Sequence, residues 1–173
     1  MAIELALLRL IHICTGAFWA GGTIYVALFV LPAVKALGPD GGKFMGQLTK
    51  TRKLPVFMNV IAFLNILTGL RLLMILTDNF KNTAWFSTHY GICISIGMVA
   101  ALGAFAIGFA VSRPTANKVN GIVAAINAAG GPPSPAQAEQ LGALRAKMAK
   151  SLVIMAWHLA AALVFMSLAK YSF

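Results

Sequence analysis

Long apolar runs separated by short polar stretches dominate the pattern along this chain. Residues 3–34, 54–76, 88–111 and 150–170 form four such runs. Each approaches or exceeds the about 20 residues that a helix needs to cross a hydrocarbon core about 30 Å thick. We predict an all-α fold, an integral membrane four-helix bundle that forms a single domain over residues 1–173.

Prolines and small polar residues mark where the predicted spans begin and end. Pro32 and the glycine-rich residues 38–42 should end the first span, and Pro55 should begin the second. Thr88 can cap the third span, which we expect to stop just before Pro114. These positions follow from the missing N–H of proline and from the preference of threonine for helix N-termini.

Residues 113–149 form the longest polar connector in the chain. Two stretches with helical composition flank a break at residues 130–135, where Ser134 can act as N-cap and Pro135 as the first helical residue. We expect a helical connector here, either a short hairpin or extensions of the third and fourth spans.

Composition and charge support the membrane assignment and suggest an orientation. The chain is 60% hydrophobic and only 10% charged, whereas soluble domains carry about 25% charged residues. The net charge is +10, and the basic residues concentrate in two of the three loops. They are Lys35, Lys43, Lys50, Arg52 and Lys53 in the first loop and Arg113, Lys118, Arg145, Lys147 and Lys150 in the third. The positive-inside rule then places both loops and the connector in the cytoplasm, with both termini outside. Contact with anionic lipid explains this charge better than nucleic acid does.

The first apolar run differs from a cleaved signal peptide. It is longer than an h-region of about 7–15 residues, and it opens with Glu4 rather than with a basic cluster. We therefore expect it to remain as a span.

Two histidines lie in predicted spans, His12 in the first and His89 at the start of the third. An ionisable side chain inside a membrane is costly, so each one suggests a functional site. At about 1.5 Å per residue, His12 lies roughly 35 Å from Lys35 and His89 roughly 36 Å from Arg113. Equal heights would let the two imidazoles bind one haem iron from opposite sides, as axial metal ligands. An interfacial His89 with no ligand role is the alternative.

Neighbouring residues suit a haem. Arg9 lies one turn from His12, and Arg71 reaches a similar level on the second span. Guanidinium groups pair well with carboxylates such as haem propionates, although arginines near helix ends also reach for the interface without such a partner. Gly16 would leave room for a flat ring, and Trp19 could pack on that ring.

A second polar level lies deeper in the predicted bundle. Asn65 and His158 both fall roughly 17–18 Å from the outer ends of their spans. We expect an interhelical hydrogen-bond cluster centred on these two residues. A quinol site, a proton relay or a ligand for a second cofactor is the alternative.

Short motifs in the first three spans resemble a group of small bacterial four-helix membrane proteins. The motifs are Leu8-Arg9-Leu10-Ile11-His12, Phe18-Trp19-Ala20-Gly21-Gly22, Leu31-Pro32, Thr68-Gly69-Leu70 and Trp85-Phe86-Ser87-Thr88-His89. The group includes the copper-resistance D domain and the four-helix, haem-binding protoporphyrinogen oxidase. This resemblance implies a haem role for His12. It also places His89 where the oxidase has an essential lysine, which favours bis-histidine ligation over oxidase activity.

The sequence therefore favours a membrane protein with haem b, active in electron transfer or haem-dependent oxidation in the bacterial inner membrane. Copper transport or handling and a protoporphyrinogen oxidase-like activity are the alternatives. The expected partner is the lipid bilayer, and a quinol, a redox protein or a second copy of the chain stays open. We expect no nucleic acid, and the sequence identifies no catalytic residue.

Overall fold

The structure, a computed structural model, describes residues 2–171 apart from the side chain of Pro39. This part of the chain is helical without any strand. Its main helices are α1 (Ala2–Ala36), α2 (Pro39–Gly46), α3 (Leu54–Leu76), α4 (His89–Ala129) and α5 (Pro135–Leu168). Helices α1, α3, α4 and α5 are long and apolar enough to cross a membrane, which is the architecture of a multi-pass membrane protein.

Three helix starts agree with the predictions from the sequence. Helix α3 begins at Leu54, with Pro55 in its first turn. The Gly91 N–H donates to Thr88 Oγ1 over 3.0 Å at the start of α4. At the start of α5, Ser134 and Gln137 form a reciprocal capping box: the Gln137 N–H donates to Ser134 Oγ over 3.3 Å, and the Ser134 N–H donates to Gln137 Oε1 over 2.9 Å. Local side chains therefore satisfy N–H groups that the first helical turn leaves free.

The first span ends at Ala36, directly before the glycine-rich residues that were predicted to end it, although the helix continues through Pro32. The third span does not stop before Pro114, because α4 continues through this proline as well. A wide π-helical turn precedes each one, Val26–Val30 in α1 and Gly108–Ser112 in α4. Such a turn shifts the backbone bonds to carbonyls five residues back, which accommodates the ring and the missing N–H of proline.

The long helices pack in the order α3, α1, α5, α4, since α1 lies against both α3 and α5 and α4 lies against α5. Small residues allow the close approach: Gly22 faces Met58 across α1 and α3, and Gly97 faces Met166 across α4 and α5. A buried core joins all four helices through Trp19, Ala20, Ala62, Ala104, Met155 and Leu159. The bundle therefore relies on close packing of small side chains, as helices do in lipid.

The connector expected at residues 113–149 consists of extensions of α4 and α5. The two extensions pack on each other, with Thr115 and Leu141 buried. Where the extensions begin, the hydroxyls of Ser112 and Ser151 lie 3.0 Å apart and share a hydrogen bond. We call this end of the bundle the connector end, and the opposite end, where α1 begins and α5 finishes, the terminal end.

Helices α3 and α4 are not packed directly on each other over the described residues. An open cleft of ≈ 200 Å³ separates them towards the connector end. Trp19 of α1 and Met155 of α5 form part of its lining. The four helices thus form an incompletely closed bundle.

Replacing Gly97 with alanine should destabilise the bundle. The new Cβ would lie 2.7 Å from Met166 Cγ and 3.2 Å from the Ala162 carbonyl oxygen. Overpacking of this kind costs about 1–3 kcal/mol. The matched control is Gly21→Ala, because a Cβ at Gly21 meets nothing within 4 Å. Thermal melting of both variants in detergent checks the prediction, and equal melting temperatures would contradict it.

Candidate functional site

His12 lies between α1 and α3, where its imidazole is bonded to the backbone of α3. Its Nδ1 lies 2.9 Å from the Asn65 carbonyl oxygen and 3.3 Å from Thr68 Oγ1. A carbonyl oxygen only accepts hydrogen bonds, so Nδ1 carries the proton and donates it. The ring also lies against Gly69, where a Cβ would be 2.7 Å from His12 Cε1. The imidazole of His12 therefore fits against α3 because Gly69 has no side chain.

The Asn65 side chain binds back to α1. Its Nδ2 donates to the His12 carbonyl oxygen over 2.7 Å and to Thr15 Oγ1 over 3.2 Å. Gly16 permits this approach, because a Cβ there would lie 2.8 Å from Asn65 Nδ2. The space beside Gly16, which the sequence analysis reserved for a flat ring, thus holds the Asn65 amide. Both helices contribute donors and acceptors to one interhelical network.

The Nε2 atom of His12 has no hydrogen-bond partner among residues 2–171. With the proton on Nδ1, this nitrogen presents a lone pair. Histidines that bind metals commonly hold their other ring nitrogen against a backbone carbonyl, which sets the tautomer and the ring orientation. The ring of His12 is therefore fixed through Nδ1 and leaves Nε2 free, an orientation compatible with metal binding.

His89 lies elsewhere in the bundle. It is the first residue of α4 and is exposed, with its Nε2 3.7 Å from Cys93 Sγ. Cys93 precedes Gly97 by one turn on the face that packs against α5. The structure therefore does not bring His89 together with His12, which faces α3.

The two histidines also belong to different helix pairs. His12 contacts α3 through Asn65 and Thr68, whereas α4, which carries His89, packs chiefly on α5. The equal heights expected from the sequence stay a prediction.

The other candidate cofactor-binding residues have distinct surroundings. Arg71 pairs with Glu4 at the terminal end, with Nη2 and Nε 2.6 Å and 3.1 Å from Glu4 Oε1. Arg9 is exposed. Trp19 is 3% exposed and belongs to the core between the helices. The guanidinium of Arg71 thus already has a carboxylate partner from its own chain.

The expected cluster of Asn65 with His158 is wrong. Asn65 bonds to His12 and Thr15, while His158 Nδ1 donates to the Ile154 carbonyl oxygen of its own helix over 2.9 Å. The His158 ring lies against Gly103 of α4, where a Cβ would be 2.9 Å from His158 Cδ2. The two residues belong to different helix pairs, which span counting could not show.

Three members of the His12 network and one polar residue on α4 were not predicted from the sequence. Thr15 and Thr68 complete the network, and Gly69 provides the space for it. Ser95 of α4 has a buried Oγ without a partner among the described residues. Thr15 and Gly16 lie one turn beyond His12. This cluster of small and polar residues was the signal in the sequence that could have indicated the network.

No group of three or more metal-binding side chains (His, Cys, Asp or Glu) occurs among residues 2–171. Cys14 and Cys93 are free thiols. Comparisons with protein-family models, curated proteins and solved structures found no match.

Replacing Asn65 with leucine should destabilise the contact between α1 and α3. The variant keeps the side-chain size but loses the donors to the His12 carbonyl and to Thr15. Polar contacts between membrane helices contribute roughly 1 kcal/mol. The control is Ser167→Ala, because Ser167 Oγ donates only within its own helix. Thermal or denaturant unfolding in detergent measures both, and an unchanged Asn65→Leu protein would show that the network does not stabilise the bundle.

Proposed function

We propose that this protein is a haem-binding membrane protein in which His12 is the axial ligand of haem b. The observation that carries the proposal is the 2.9 Å hydrogen bond from His12 Nδ1 to the Asn65 carbonyl. This bond leaves His12 Nε2 without a proton and fixes its orientation between two membrane helices, so that the atom can donate its lone pair to a metal. An imidazole held in this way is a suitable axial ligand for haem iron.

The free Nε2 of His12 supports a haem on this side of the bundle. His89 lies on a helix that does not pack closely against α1, whereas the imidazole of His12 faces α3. The proposal therefore assigns the iron ligand to His12 and gives His89 no bond to the same iron. Arg9 is the candidate for a propionate contact, since the described residues give Arg71 its carboxylate partner, Glu4.

A haem held by His12 would supply a redox-active iron for electron transfer or haem-dependent oxidation. Asn65 and Thr68 orient the imidazole, and Gly69 gives it room. The resemblance of the first-span motif to the four-helix protoporphyrinogen oxidase supports a haem role for His12. In that family an essential lysine occupies the position that corresponds to His89. Since this chain lacks that lysine, we propose an oxidation and name no substrate from the family.

Copper handling is a second candidate function. The observation that favours it is the pair formed by His89 Nε2 and Cys93 Sγ, 3.7 Å apart at the start of α4. Imidazole and thiolate are both suitable copper ligands. Metal analysis of the purified protein separates the two proposals, because copper without haem would support this pair and contradict the role of His12.

We further propose that the connector end faces the cytoplasm of a bacterium and that the protein resides in the inner membrane. The basic residues of the first and third loops support this orientation through the positive-inside rule. The resemblance to small bacterial membrane proteins supports the location.

The haem proposal predicts that His12→Ala loses most of its bound haem. The purified protein should be red, and a reduced-minus-oxidised absorption spectrum measures its haem content. His158→Ala is the matched control, because His158 is also an intramembrane histidine whose Nδ1 donates to a carbonyl. His89→Ala should keep both the haem content and the spin state. Full haem content in His12→Ala would exclude His12 as the iron ligand. A change of the haem spin state in His89→Ala would instead indicate that His12 and His89 both bind the iron.

The orientation proposal predicts labelling from one side only. In a background of Cys14→Ser and Cys93→Ser, Ser134→Cys should react with a membrane-impermeant maleimide in inverted vesicles and not in intact spheroplasts. Asn82→Cys, in the opposite loop, is the control and should show the reverse pattern. Labelling of Ser134→Cys in intact spheroplasts would invert the proposed topology.

A further inference from the structure

The cleft between α3 and α4 combines an apolar lining with two polar side chains. Aromatic rings from three helices face it, namely Trp19, Phe63, Phe105 and Phe109. Asn59 and Arg113 supply the polar groups of the same lining. The cleft is thus amphipathic.

The charge of Arg113 has no carboxylate partner among the described residues. Its guanidinium lies over the Phe109 ring, 5.5 Å from the centroid. The chain has only four acidic residues, and Glu4 and Asp40 pair with Arg71 and Lys43. The other two, Asp78 and Glu139, form no ion pair with Arg113 in the part of the chain that the structure describes, which leaves its guanidinium available to an anion from the membrane.

Asn59 adds two hydrogen-bond donors to the same cleft. It is exposed, lies in the second turn of the apolar helix α3, and its amide makes no hydrogen bond within residues 2–171. A polar group at membrane depth without a partner is costly. An external acceptor next to Arg113 would satisfy both side chains.

We propose that this cleft binds one anionic phospholipid, with the phosphate at Arg113 and Asn59 and an acyl chain along the aromatic wall. Arg113 directly follows the apolar part of α4, which is the level of lipid headgroups. Basic pockets between membrane helices bind anionic headgroups. A second copy of the chain is a poorer occupant, because a two-fold contact through this face would bring two Arg113 side chains and two chains of charge +10 together.

Quenching of Trp19 fluorescence by brominated lipid tests the proposal. Trp85→Phe and Trp157→Phe make Trp19 the sole tryptophan, and the full chain is placed in phosphatidylcholine nanodiscs. Trp19 is only 3% exposed, so bulk lipid should quench it weakly. Brominated phosphatidylglycerol should reach half-maximal quenching at about a five-fold lower lipid fraction than brominated phosphatidylcholine, the preference expected from one cation near the headgroup.

Arg113→Gln should abolish this preference, Arg113→Lys should retain it, and Asn59→Ala should reduce it. The matched control is Arg145→Gln, since Arg145 is an exposed arginine on the α5 extension outside the cleft. It should keep the full preference. If Arg113→Gln does not fold, the Asn59→Ala and Arg113→Lys variants still decide the matter.

Several outcomes would overturn the proposal. Equal quenching by the two lipids would show that the cleft does not select anionic headgroups. Protection of Trp19 from both lipids would mean that a second copy covers the cleft. Relief of quenching by excess inorganic phosphate alone would identify a soluble phosphate as the ligand. Quenching that persists unchanged in Arg113→Gln would place the anionic lipid elsewhere.

Discussion

The need to pair polar groups inside a bilayer governs this structure. Water is absent from the hydrocarbon core, so a backbone or side-chain donor must find its acceptor within the protein. The chain meets this requirement at Pro32 and Pro114 with wide helical turns rather than with breaks. The chain meets the same requirement between α1 and α3. There the side-chain amide of Asn65 donates to the backbone carbonyl of His12, and the backbone carbonyl of Asn65 accepts from the His12 imidazole. Both solutions keep the helices continuous and close together.

The His12 network is therefore structural and, in our proposal, functional for the same reason. The backbone carbonyl of Asn65 accepts a hydrogen bond from the Nδ1–H of His12, and Gly69 leaves space for the ring. These contacts hold the imidazole rigidly and leave Nε2 free, which is the arrangement a metal ligand needs. A site that is already ordered before the cofactor arrives loses little conformational entropy on binding.

Arg113 and Asn59 are left without partners at a place where the bundle is incomplete. They line the cleft between α3 and α4, helices that do not pack directly on each other. The packed helices α1 and α3 satisfy the Asn65 amide internally, whereas the open cleft leaves Arg113 and Asn59 available to a ligand from the membrane. The proposed lipid would thus complete the bundle in the same way that Asn65 completes the contact between α1 and α3.

Apolar run lengths and local capping chemistry, both visible in the sequence, determined the four spans and the starts of α4 and α5. Local signals sufficed there because each cap involves residues within one turn. The end of α1 just before residues 38–42 was also visible in the sequence. The continuation of the helices through Pro32 and Pro114 was not, since tolerance of proline depends on a π-helical turn that no residue pattern specifies.

The neighbours of each candidate residue were decided only by the tertiary structure. His12 and Arg71 were named from the sequence, but their partners Asn65 and Glu4 come from another helix. The register of α1 on α3 brings His12 next to Gly69 and Gly16 next to Asn65. That register is set by glycine contacts between helices, which are long-range and leave no periodic signal along a single span.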